Sequence, residues 1–114
     1  MRTKREVAVE FLQFLADIRD PGTGDVLPAE LAKRLEMGEP ELLARWRKRG
    51  ESVSWYQFTD ELLSVLDAKQ EKTGDLKAAI AWYRATPLAE FHMATPDDLV
   101  SAGAATALVK AIRR

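Results

Sequence analysis

The sequence predicts an all-α fold of about seven short helices. Apolar residues recur at intervals of three and four, no stretch alternates with period two for long enough to make a strand, and turn residues punctuate the pattern. From Lys4 to Arg19, the residues Val7, Phe11, Phe14, Leu15 and Ile18 fall on one stripe and predict the first helix. Asp20-Pro21-Gly22-Thr23-Gly24-Asp25 joins a fixed φ to two positions open to positive φ, so the chain turns there. Pro28 suits the first turn of a second helix of about two turns, with Leu31, Ala32 and Leu35 inward and an end near Gly38. A third helix begins near Glu39-Pro40, carries Leu42, Leu43 and Trp46 on one face, and stops around Gly50. Trp55, Phe58, Leu62, Val65 and Leu66 predict a longer fourth helix that runs to about Gln70 and is closed by Lys72-Thr73-Gly74. Asp75 is the N-cap of a fifth, whose stripe is Leu76, Ala79, Ile80 and Tyr83 and which Pro87 ends. Thr95-Pro96-Asp97-Asp98 reads as a helix start: a hydroxyl cap, a proline where no N–H is needed, and acids at the positive end of the dipole. Gly103 interrupts this sixth helix, and Ala105, Leu108, Val109 and Ile112 line a terminal one.

A length of 114 residues allows one compact domain or two very small ones and excludes a large enzyme. With 46% hydrophobic and 31% charged residues the chain can build a core, so intrinsic disorder fits poorly. Seventeen Lys+Arg against eighteen Asp+Glu give a net charge of −1, which removes any global attraction to phosphate. The absence of cysteine excludes a disulfide framework, a thiolate zinc site and a cysteine nucleophile. No apolar run is long enough for a membrane span, and we expect a cytoplasmic protein.

Catalytic grammar is sparse. His92 is the only histidine, and nothing near it resembles a nucleophile elbow. The pairs Asp60-Glu61 and Asp97-Asp98 are acids on adjacent helical residues, which project in different directions; a solvated face and an N-terminal charge are their expected roles. The Asp20 to Asp25 turn lacks the ligand spacing of a calcium loop and the ending of a phosphate loop. We therefore expect a protein that is not an enzyme and holds no cofactor or metal.

The stretch Leu31 to Trp46 is two short helices joined at a glycine-containing turn, the pattern of a helix-turn-helix. Between Ala29 and Gly50 six bases face four acids, a local balance of +2. Lys33, Arg34, Arg45, Lys48 and Arg49 are the candidate phosphate contacts, although Glu39 and Glu41 stand where groove-reading helices usually meet base edges. A helical hairpin that only builds the core explains the same residues.

The carboxy-terminal third carries a more specific pattern: Ala79-Ile80-Ala81-Trp82-Tyr83-Arg84-Ala85-Thr86-Pro87-Leu88, then Ala94-Thr95-Pro96-Asp97-Asp98-Leu99-Val100, then Gly103 with Leu108-Val109 beyond it. It resembles the toxin-binding domain of Xre/MbcA/ParS-type antitoxins, over Asp75 to Arg114, with Trp82, Pro87, Thr95, Pro96, Leu99 and Gly103 carrying the match. The residues before it look similar, less specifically, to the amino-terminal part of such antitoxins. Where that pattern has glycines ahead of the Thr-Pro, this chain has His92-Met93-Ala94, so the loop must take another path or strain a non-glycine residue.

The resemblance implies a helix-turn-helix-like part over residues 1–53 and a toxin-binding-like domain over 54–114, with 54–70 as a linking helix. It implies a cognate RES-type toxin as partner, an NAD-consuming enzyme blocked by steric occlusion, with Trp82, Pro87, Thr95, Pro96, Lys110, Arg113 and Arg114 as partner-binding residues. It also implies operator DNA as a second partner, with autorepression. From the residues alone, Trp82, Leu99, Val100, Leu108, Val109 and Ile112 are first of all core. Lys110, Arg113 and Arg114 place positive charge where the helix dipole favours it and where an acidic partner surface could meet it. A homo-oligomer is the default expectation, without a heptad seam to point to it. The alternative reading is a helix-turn-helix transcriptional regulator without a toxin partner.

Overall fold

The computed structural model describes residues 2–114, and in them the all-α expectation holds. Seven α-helices follow one another, α1 (Lys4–Ile18), α2 (Pro28–Arg34), α3 (Glu39–Arg47), α4 (Trp55–Thr73), α5 (Leu76–Ala85), α6 (Pro96–Ser101) and α7 (Ala105–Arg113), with a single 3-10 turn at Ala89–Phe91. No strand forms among the described residues; only two isolated bridges, Arg19 with Val26 and Leu88 with Ala94, pinch the loops they close.

The helix ends follow from local chemistry. Thr3 and Thr95 each close a capping box, with Glu6 and Asp98 respectively, while Ser54 and Asp75 accept from the backbone N–H three residues on. Gly74 ends α4 in the left-handed region at φ 73°, where a side chain would be strained. In the Asp20 to Asp25 turn the Asp20 carboxylate accepts from the N–H groups of Gly22 and Thr23.

Three ends differ from expectation. α2 stops at Arg34 because the chain reverses at Glu36, φ 57°, and not at Gly38, which is the extended N-cap of α3. α3 stops at Arg47, and Lys48 to Gly50 form a turn in which Gly50 N–H donates to the Arg47 carbonyl. At the other extreme, α4 runs past Gln70 to Thr73.

The core is continuous. Phe11, Phe14 and Ile18 of α1, Leu31 and Leu35 from the α2 segment, Leu42 of α3, Phe58, Leu62 and Leu66 of α4, Tyr83 of α5, Val100 of α6 and Leu108 of α7 belong to one buried cluster. α4 is its axis, touching α1, α5, α6 and α7. The linking role foreseen for residues 54–70 is thus that of a central helix, around which both segments share one interior. Two indoles are fixed by hydrogen bonds, Trp46 Nε1 to the Val53 carbonyl at 2.9 Å and Trp55 Nε1 to the Val26 carbonyl at 2.8 Å, and their rings meet edge to face.

Candidate partner-binding corner

The α5–α6 connection concentrates the unusual geometry. Thr86 ends α5, Pro87 is exposed, and a bridge between Leu88 and Ala94 closes the loop: Leu88 N–H donates to the Ala94 carbonyl at 2.9 Å, and Met93 N–H to the Leu88 carbonyl at 2.8 Å. Inside it His92 and Met93 sit at φ 55° and 68°, two successive non-glycine residues in the left-handed region. Of the three residues His92-Met93-Ala94, the first two thus carry positive φ without being glycine. Met93 is 61% exposed, one of few large apolar side chains that solvent reaches.

That geometry makes a prediction. Met93→Gly should stabilise the fold by about 0.5–1 kcal/mol, because relief of the left-handed strain exceeds the extra chain entropy of glycine and little buried area is lost. Urea denaturation measures it; a loss of stability would mean that the Met93 side chain is held by packing.

Beyond the loop, Thr95 Oγ1 accepts from Asp98 N–H and the Asp98 carboxylate from Thr95 N–H, both at 3.1 Å, so the hydroxyl is spent on capping. Pro96 is buried at the first turn of α6. Gly103 turns the chain into α7 at φ 87°, and a Cβ there would lie 3.4 Å from Arg49 Nε. Trp82 is half-buried under the ammonium of Lys69, 4.5 Å from its ring. Arg113 and Arg114 pair with Glu71 and Glu90 at 3.6 Å each, and Lys72 Nζ donates to the carbonyls of Ile112 and Arg114. These contacts place the end of α7 beside the end of α4 and the 3-10 turn of the loop. Lys110 is exposed on α7. Of the sequence candidates, Trp82, Arg113 and Arg114 thus gather at one end of the molecule. Thr95 is spent on the cap and Pro96 is buried, so neither offers an open contact surface.

Asp97 and Glu61 tie segments of the fold together in a way that residue order hid. Asp97 is buried, and both its oxygens accept from Arg45 Nε at 2.8 Å. Burial raises its carboxyl above the ordinary range, against the opposing pull of that guanidinium. Glu61 receives Arg49 Nη1 at 2.8 Å and Nη2 at 3.3 Å, while the same Nη1 reaches the Val100 carbonyl. The expected solvated face and N-terminal charge hold for Asp60 and Asp98, which are exposed, Asp98 capping the start of α6. For the other two they are corrected: Asp97 ties α6 to α3, and Glu61 ties α4 to the turn after α3. Among the phosphate candidates, Arg45 and Arg49 are therefore engaged within the chain, Arg49 with its side chain only 12% exposed and Arg45 with 31% still open to solvent. Arg34 shares Asp17 at 3.2 Å; Lys33 and Lys48 are exposed. Glu39 and Glu41 are exposed at the start of α3.

Next to the Arg45–Asp97 pair, the Tyr83 hydroxyl is buried and makes no hydrogen bond among the described residues, and burial holds its ionisation well above the usual phenol range. Tyr83→Phe should cost no more than about 0.5 kcal/mol in thermal denaturation, since no protein hydrogen bond is removed. A larger loss would show that the hydroxyl has a partner in solution.

Among the described residues no three potential metal ligands cluster, and no helix is long and apolar enough to cross a membrane. Compared with family models, curated proteins and solved structures, the chain matches none.

Proposed function

We propose that the chain is an antitoxin-like interaction protein that binds and neutralises a cognate RES-type toxin by covering its active site. The observation that carries this reading is the strained α5–α6 loop: backbone strain at two non-glycine residues persists where surrounding structure enforces it, and here it displays an exposed methionine. Methionine is an adaptable contact for a partner surface. Arg114, paired with Glu90 of the 3-10 turn, brings the end of α7 to this loop, and exposed Lys110 with Arg113 and Arg114 offers donors to an acidic partner surface that competes for them; Trp82 and Pro87 belong to the same α5–α6 segment. The protein works in the cytoplasm, needs no cofactor and carries out no chemistry of its own, so occlusion is its whole mechanism.

Co-expression with the RES-type toxin of the neighbouring reading frame tests this. Growth should be rescued by the chain, and Met93→Glu and Lys110→Glu, both at exposed positions, should weaken the isolated complex by about tenfold or more each. Failure of the wild-type chain to bind the toxin, or full rescue by both variants, would overturn the proposal.

The alternative, a helix-turn-helix regulator that binds operator DNA without a toxin, draws on α2 and α3. The internal pairing of Arg45 and Arg49 and the exposed Glu39 and Glu41 weigh against it, leaving Lys33 and Lys48, with Arg34 held more loosely by Asp17 at the surface, for phosphate contact.

A further inference from the structure

α1 is apolar on two sides. Its inner stripe, Val7, Phe11, Phe14 and Ile18, is buried in the core. On the opposite side Val9 and Leu12 are 57% and 63% exposed, followed by exposed Ala16, at the same helical spacing. Leu12 also borders a groove of about 1000 Å³ between α1 and the end of α4, whose apolar walls include Leu15 and Ala68.

Charge decides what fits. The outer stripe begins at Arg5, and Arg19 follows it at the C-cap; both are exposed, and neither makes an ion pair among the described residues. The two lie 14 residues apart in sequence, about 21 Å along a helix. A second copy of α1 would set Arg5 against Arg5 or against Arg19 in either orientation, so self-pairing is opposed by like charge. An anionic lipid surface would meet Glu6, Glu10 and Asp17 along one flank. We propose that this stripe docks an amphipathic helix of a partner protein that has an aliphatic centre and acidic residues at both ends. The stripe is on a different helix from the α5–α6 corner, so the proposal does not rest on toxin binding.

Fluorescence anisotropy on the full chain tests it, using a labelled synthetic helical peptide with central leucines and glutamates about 14 residues apart. Saturable binding is expected, weakened about tenfold or more by Leu12→Asp and by exchanging the peptide's glutamates for lysines. The double change Arg5→Glu with Arg19→Glu should reverse the preference between the two peptides. Because Leu12 is exposed, the thermal transition of Leu12→Asp should match the wild type, which separates lost docking from lost folding. No binding, equal binding of both peptides, or self-association that Leu12→Asp abolishes would each overturn the proposal, the last by giving the stripe to a second copy.

Discussion

Phe58→Ala is expected to lower the unfolding free energy by about 3–5 kcal/mol, the largest effect of any single change considered. Phe58 is fully buried on α4 and stacks at a tilt against Trp55, 6.0 Å between ring centroids. Truncation removes the transfer energy of the ring and leaves a cavity that close-packed neighbours on several helices cannot fill. Against a typical stability of about 5–15 kcal/mol the variant should be marginal. Its main information lies in how the loss is distributed. Since the buried cluster runs from Phe11 on α1 to Leu108 on α7, amides of both helices should lose hydrogen-exchange protection by the same free energy. Circular dichroism and tryptophan fluorescence should report one coincident transition. If α5 to α7 stayed protected while α1 to α3 opened, residues 1–53 would be a separate folding unit after all.

Such a continuous interior could not be read from the chain, although the helices could. The stripe Val7, Phe11, Phe14, Ile18 and the cap signals at Asp75 and Thr95 are local: period and capping chemistry act within one or two turns. Glu36 shows where that reading fails. Glycine is the usual residue at positive φ, so Gly38 looked like the hinge, yet the left-handed residue is a glutamate held by the packing of α2 against α3. The His92-Met93 strain was legible because the turn geometry was expected and the glycines were missing. The partners of the arginines were not. Arg45 and Asp97 are separated by 52 residues and Arg49 and Glu61 by 12, and a base seen only in sequence is equally available to a phosphate or to an acid brought near by folding. Exposure, which picked out Val9, Leu12 and Met93, is likewise a tertiary property.

Glu61→Ala should cost about 2–3 kcal/mol, because it strands a guanidinium that the fold has largely withdrawn from water. The Arg49 side chain is 12% exposed and that of Glu61 22%, so solvent screens the pair only in part, and after truncation the Val100 carbonyl would be the acceptor left to Arg49. Arg49→Met combined with Glu61→Leu should recover most of the loss, since two apolar side chains leave no buried charge unpaired; a double-mutant cycle in urea measures the coupling. Free energies that simply add would mean the two side chains are independent in solution. The same variant bears on the helix-turn-helix reading. If the wild-type Arg49 is unavailable to phosphate, releasing it in Glu61→Ala should steepen the salt dependence of any duplex binding by roughly one phosphate contact, a change of about 0.9 in the slope of log K against log salt. An unchanged slope would show that freeing Arg49 adds no phosphate contact.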